Sequence, residues 1–174
     1  RFDRVQAIAM AAQKLPEIEF FVGDSFCLVA GSVWPADMEV LIPALNAMDS
    51  PVKVIIAPHE INGEAMLKWQ KILKGKSVLY SEYVLMDTPP AFDYLFIDNV
   101  GMLSALYRYG NVALIGGAFG SGLHNILEAA TFGIPVMFGN KKYEKFQEAI
   151  DLMQAGGAHV VHTDADVQKL LALY

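Results

Sequence analysis

Read for apolar and polar positions, the chain alternates two textures. Seven short runs, SFCLVAG, VKVIIAP, SVLYS, DYLFID, NVALIGG, PVMFG and AHVV, are nearly all apolar and rich in β-branched or aromatic residues. Near-continuous hydrophobicity, rather than every second residue, is what a strand covered on both faces requires. Between most of these runs lie segments of helical period, at 37–48, 61–74, 100–109, 123–132, 143–155 and 164–173. Val5, Ile8, Ala9 and Ala12 give the first segment the same period. There is no internal repeat and no low-complexity stretch. The alternation predicts an α/β fold: a Rossmann-like open parallel sheet with helices on both faces and right-handed crossovers.

In such a sheet, ligands bind beyond the carboxyl ends of the strands, where the strand order reverses. Chemistry-bearing residues should therefore follow the apolar runs directly. Five places qualify: Gly31-Ser32, Pro58-His59-Glu60, Asp98 to Leu103, Gly116 to Asn125, and Gly139 to Lys142.

The fourth is the richest. In GGAFGSGLHNILEAA the chain turns through Gly116, Gly117, Gly120 and Gly122 before a helical pattern. Glycine lets a ligand approach the main chain. The N–H groups of the following helix offer partial positive charge to a phosphate or carboxylate. Asn125 and Glu128 share one face of that helix, and Glu128 suits a ribose diol. Alternatively the glycines only permit a tight turn and Glu128 is a capping charge. Capping alone does not require four glycines. The stretch matches neither G-x-G-x-x-G nor the P-loop, and Phe119 two before Ser121 excludes a nucleophile elbow.

The other places are read with their plainer alternatives. His59 could meet a phosphate or base or move a proton, or be a loop residue. Asp98 or Asn99 is expected to cap a helix starting near Val100, with Gly101 leaving its first turn bare. Ser32 could donate to a phosphate or cap a helix; Asp37 is expected to cap the helix after Pro35. Lys141 and Lys142 could attract an anion or lie solvated. The four histidines, at 59, 124, 159 and 162, lack helical ligand spacing, so no metal site is expected. His159 and His162 are read as structural.

Composition narrows the classes. The 174 residues suffice for one well-packed domain. A net charge of −6 without a basic stripe argues against nucleic-acid binding. Cys27, the single cysteine, sits in an apolar run and reads as a core thiol. Without a disulfide framework the chain suits a reducing compartment. No apolar run approaches the ~18 residues of a membrane span, and no signal peptide is visible. The start, RFDRVQAIAMAAQKLPE, lacks an initiator Met and lies inside a helical pattern, so a fragment missing its N-terminal part is expected.

Together the motifs resemble the C-terminal half of 3-deoxy-D-manno-octulosonic acid (Kdo) transferase, nearly end to end. RFDRV is similar to the sequence after that family's domain linker, and AGSVW to its Gly-Ser-Thr. DNVGMLSALY resembles its Gly-(Glu/Met)-Leu-x-x-x-Tyr segment. GGAFGSGLHNILEAATFGIPVMFG resembles its most diagnostic stretch, and FQEAIDLMQAGGA the helix after it. Three positions depart: Leu123 replaces the second Gly before His-Asn, Pro58-His59 stands for Pro-Arg-His, and Lys145-Phe146 for Asn-Phe.

The resemblance implies a two-domain glycosyltransferase of GT-B type, with residues 1–17 as linker and first helix and 18–174 as the donor-nucleotide domain. It implies a CMP-Kdo donor and a lipid A precursor as acceptor. The acceptor, the membrane-surface contact and the catalytic carboxylate would belong to the N-terminal domain, at the cytoplasmic face of the bacterial inner membrane. No cofactor, no metal and no catalytic group are expected in this chain, which would be soluble and inactive alone. Pro58 and His59 would approach the cytosine or its ribose, and Gly101, Met102 and Leu103 would line the nucleotide through their backbone. Asn125 and Glu128 would hold phosphate and ribose; Ser32, Gly117 and His124 complete the expected substrate-binding set. CMP leaves with a single phosphate, whose developing charge a helix N-terminus stabilises without a metal. Two alternatives stand beside this reading: a GT-B donor domain for a UDP-sugar, and a non-catalytic α/β binding module.

Overall fold

A computed structural model of the chain describes residues 14–50, 52–120, 129, 132–141 and 147–173. Every apolar run singled out above contains a strand: β1 Cys27–Val33, β2 Lys53–Pro58, β3 Ser77–Leu79, β4 Tyr94–Phe96, β5 Val112–Ile115, β6 Val136–Gly139 and β7 Ala158–Val161. They form one sheet in the order β3-β4-β2-β1-β5-β6-β7. All six pairings are parallel.

The helices are α1 Pro16–Val22, α2 Pro35–Asn46, α3 Gly63–Ile72, α4 Tyr80–Tyr83, α5 Leu103–Leu106, α6 Gln147–Gln154 and α7 Asp164–Leu173 among the described residues. A 3-10 turn, Tyr107–Tyr109, follows α5.

Strand side chains alternate between faces, so a doubly covered sheet splits its apolar residues between two cores. In β1, Leu28 and Ala30 join α2, α3 and α7 through Met38, Leu41, Met66, Trp69, Val167 and Leu171. Cys27 and Val29 join α1, α4 and α5 through Ile18, Phe21, Tyr83 and Leu106. Burial of each Leu, Ile or Val side chain contributes roughly 1.5–3 kcal/mol, so both layers hold the sheet. The predicted fold class is the observed one.

The differences have local causes. The helix expected over 100–109 starts at Leu103, with Met102 as its N-cap and no side-chain cap. Asp98 does not cap it, because its carboxylate accepts the Ser81 N–H at 2.9 Å and the Ser81 hydroxyl. That ties the end of β4 to α4 and leaves Asn99 and Val100 exposed in a bend. The 61–74 segment shortens to Gly63–Ile72 because Asn62 caps it, accepting from Glu64 and Ala65 N–H at 3.1 and 3.2 Å. Helix α1 lies outside the periodic segments. Pro16 starts it, and Gly23, at φ 57°, ends it. Remote side chains dock it: Leu15 N–H donates to the Tyr109 hydroxyl at 2.7 Å, and Tyr80 donates to Glu17 at 2.5 Å. Among the described residues, no helix is long and apolar enough to cross a membrane.

Candidate functional site

The strand order reverses at β1. From β1 the chain moves outward to β2 and on to the edge strand β3, steps back to lay β4 between them, then returns across the sheet to place β5 on the other side of β1. The connections after β1 and β5 therefore leave the carboxyl edge in different directions, which is where an open α/β sheet forms its ligand crevice. Ser32 lies at one lip and Gly117 at the other.

The two lips touch through backbone. Gly116 N–H donates to the Gly31 carbonyl at 2.8 Å. A Cβ on Gly116 would stand 2.1 Å from the Ser32 carbonyl oxygen, so only glycine allows this approach. Gly31 is equally constrained, since a Cβ there would meet the Tyr107 hydroxyl at 2.0 Å and the Leu103 side chain at 3.0 Å. Through these contacts the start of α5 packs under the end of β1.

Ser32 is the strained point. The β1–β2 register slips between Gly31 and Val33, and Ser32 takes φ 53°. A non-glycine residue in this region costs on the order of 1–3 kcal/mol and needs surrounding structure to hold it. Ser32 does not cap the following helix. The N-cap position of α2 is Trp34, whose N–H donates to Asp37 at 2.7 Å, as expected of Asp37.

Asp37 does more than cap. It is wholly buried, and its two carboxylate oxygens also accept the Gly117 N–H at 3.2 and 3.0 Å. Desolvation raises its pKa above the ordinary 3.8, opposed by the Trp34 and Gly117 N–H groups. Gly117 itself sits at φ 103°.

On the β2 side, His59 N–H donates to the Val33 carbonyl at 2.9 Å. Its imidazole stacks on the Trp34 indole, with centroids 4.3 Å apart and planes at 23°. Pro58 is half-buried and His59 exposed. Beyond β4, Gly101 is exposed at φ 89°, while Met102 and Leu103 are half-buried and pack on the core below β1. Beyond β6, Lys141 N–H donates to the Ala118 carbonyl at 2.7 Å, closing that loop onto the glycine turn.

Of the residues singled out from sequence, Ser32 and Pro58 thus lie at the carboxyl ends of β1 and β2, His59, Gly101, Met102 and Gly117 in the connections just beyond the strands, and Leu103 at the start of α5. Contacts join Ser32 to Gly116, Gly31 to Leu103, and His59 to Val33 and Trp34. Leu123, His124, Asn125 and Glu128 lie outside the described residues, as do Lys142 and Lys145. Nearby Ala129 is helical and buried. Sequence reasoning missed Trp34 altogether and gave Asp37 only its local partner. Its second partner is eighty positions away, beyond any spacing rule.

Cys27 is buried, and desolvation pushes its thiol from 9.0 up to about 12, which suits a core residue and not a nucleophile. His159 lies in β7 opposite Met137, and His162 donates its N–H to Asp166 at 2.9 Å. Among the described residues, no three His, Cys, Asp or Glu side chains gather as a metal site would require.

The fold is that of a Rossmann-like α/β domain, with the candidate site at the carboxyl ends of β1, β2, β4 and β5. No protein-family model matches the chain. Over most of its length, however, the chain is similar to 3-deoxy-D-manno-octulosonic acid transferases. It is 32% identical to that of Chlamydophila psittaci over 118 residues, 67% of this chain and 27% of that protein. It is 28% identical to that of Aquifex aeolicus over 135 residues, 74% of this chain and 36% of that protein. With that of Rickettsia typhi it shares 25% identity over 164 residues, 91% of this chain and 35% of that protein. The chain thus spans about a third of the length of these relatives. In fold it is similar to the C-terminal CMP-Kdo binding domain of WaaA from Acinetobacter baumannii, with a TM-score of 0.75 and 18% identity, covering 98% of this chain and 88% of that one. The resemblance drawn from the motifs stands.

Proposed function

We propose that this chain is the donor-binding part of a Kdo transferase, holding CMP-Kdo while Kdo passes to a lipid A precursor in lipopolysaccharide assembly. One observation carries the reading. The chain has the fold of a CMP-Kdo binding domain, and seven of its expected substrate-binding residues fall at the carboxyl ends of the strands or just beyond them, around the strand-order reversal. Residues 18–174 form the donor domain and 1–17 lead into it. The acceptor, the membrane-surface contact and the group that takes the hydroxyl proton belong to an N-terminal domain of the whole protein. The whole protein works at the cytoplasmic face of the inner membrane.

In this role the chain's residues bind and orient. Backbone at Gly101, Met102 and Leu103 lines the nucleotide, and Pro58 and His59 approach the base or its ribose. Ser32, Gly117 and His124 border the phosphate. Asn125 and Glu128 hold phosphate and ribose hydroxyls. A chain offering one wall of a cleft buries little ligand surface, so CMP binds weakly and no transfer occurs.

Titration of the isotope-labelled chain with CMP and, separately, UDP tests the reading. CMP should shift the amides of Ser32, His59, Gly101 to Leu103, Asn125 and Glu128, and Glu128→Ala should weaken CMP about 100-fold. That figure assumes about 3 kcal/mol for two hydrogen bonds to a charged acceptor. Shifts with UDP alone would move the assignment to a UDP-sugar enzyme. No response to either nucleotide would leave an α/β interaction module.

A further inference from the structure

We infer that Asp37 is a positioning residue of the donor site, a buried carboxylate that locks the Ser32–Trp34 corner to the Gly117 turn. This rests on reading the crevice as a nucleotide site, and it adds a residue outside the expected substrate-binding set.

Three facts carry it. Asp37 is wholly buried. Its carboxylate accepts one N–H from the loop after β1, that of Trp34 at 2.7 Å, and one from the loop after β5, that of Gly117 at 3.0 Å. Those two loops are the lips of the crevice. Helix capping alone does not explain the arrangement. A neutral side chain caps a helix nearly as well, and taking a carboxylate out of water is costly unless strong hydrogen bonds meet it. The long-range bond to Gly117 is what a cap would not need.

The bond also fixes geometry on both sides. At φ 103° the Gly117 N–H turns inward to the carboxylate, which sets the direction in which the chain leaves β5. On the other side, anchoring the Trp34 N–H places the indole on which His59 stacks, at 4.3 Å. A ligand entering the crevice therefore meets walls already in place, and little of its binding energy goes into ordering them.

The experiment combines amide exchange with CMP titration on the chain and on Asp37→Asn. In the ligand-free chain, the Gly117 amide should be as protected as those of β1. In Asp37→Asn it should exchange at least tenfold faster, and CMP affinity should fall about tenfold, with the overall amide spectrum retained. A mere helix cap predicts lower stability with Gly117 exchange and CMP affinity unmoved, and that result overturns the proposal. Should Asp37→Asn fail to fold, the unaltered chain decides. Protection of Gly117 before CMP is added supports a preformed lock, whereas protection only after CMP refutes it. Should the unaltered chain bind no CMP, the nucleotide reading fails. The lock is then still judged by Gly117 exchange in the two proteins.

Discussion

Cys27 and Asp166 show how position alone sets a side chain's chemistry. The Cys27 thiol is buried beneath the sheet, and desolvation lifts it from 9.0 to about 12. At a mildly alkaline pH its thiolate fraction is about a thousandfold below that of an ordinary thiol, and only thiolate attacks an alkylating reagent. Iodoacetamide should therefore leave the native chain unmodified for hours and label it rapidly in urea, as mass spectrometry would read. Rapid labelling of the native chain would mean that Cys27 is not where the fold places it. Asp166 is half-buried, and the N–H groups of His162 and Thr163 hold its carboxyl below the ordinary 3.8. Its contribution is present above the unfolded value of 3.8 and lost as pH falls through the lower folded value. Asp166→Asn should accordingly flatten the acid limb of a stability–pH profile. Asp37 has the opposite sign: its folded pKa is raised, so its own contribution to stability falls as pH rises from 3.8 through the folded value.

At the scale of elements, the strands were the most legible part of the chain, because a doubly covered strand must be apolar at nearly every position. DYLFID and AHVV contain β4 and β7 for that reason. The helices were legible in place but not in extent. Segment 37–48 becomes Pro35–Asn46 because Pro35 is preset for a first turn and Asp37 reaches back to Trp34. Segment 100–109 becomes one short helix and a 3-10 turn: of its two expected caps, Asp98 is taken by Ser81 and Asn99 lies exposed in a bend. Helix α1 was illegible, since the Tyr80 and Tyr109 hydroxyls that dock it come from distant positions. Where a cap is local, its value is predictable. Asn62 accepts from two N–H groups at the start of α3, so Asn62→Ala should lower unfolding free energy by about 1 kcal/mol in urea titration. An unchanged midpoint would show that the exposed cap is replaced by water at no cost.

At the scale of the whole molecule, the candidate site exists only because the chain returns across the sheet to set β5 against β1. The sequence pointed to its lips, Ser32 and Gly117, through the rule that ligands lie past strand ends. It could not show that Trp34 stacks on His59 or that Asp37 reaches Gly117, because those pairings depend on strand order. The glycines of the turn after β5 make the same point, since the structure divides a set that looks uniform in sequence. Gly116 has the Ser32 carbonyl oxygen 2.1 Å from where a Cβ would stand and the Val33 Cα at 2.7 Å, both backbone atoms. Gly120 has only the Ala36 Cβ, at 3.8 Å, an ordinary contact. Gly116→Ala must push β1 and β5 apart where they carry the crevice, at a cost of about 3 kcal/mol or more. Gly120→Ala should stay within about 1 kcal/mol of the parent, because its new methyl meets only an ordinary contact at an exposed position. Urea midpoints of the two variants measure the difference. Equal tolerance at both positions would mean that the backbones of β1 and β5 do not approach as described, and the crevice between Ser32 and Gly117 would have to be drawn differently.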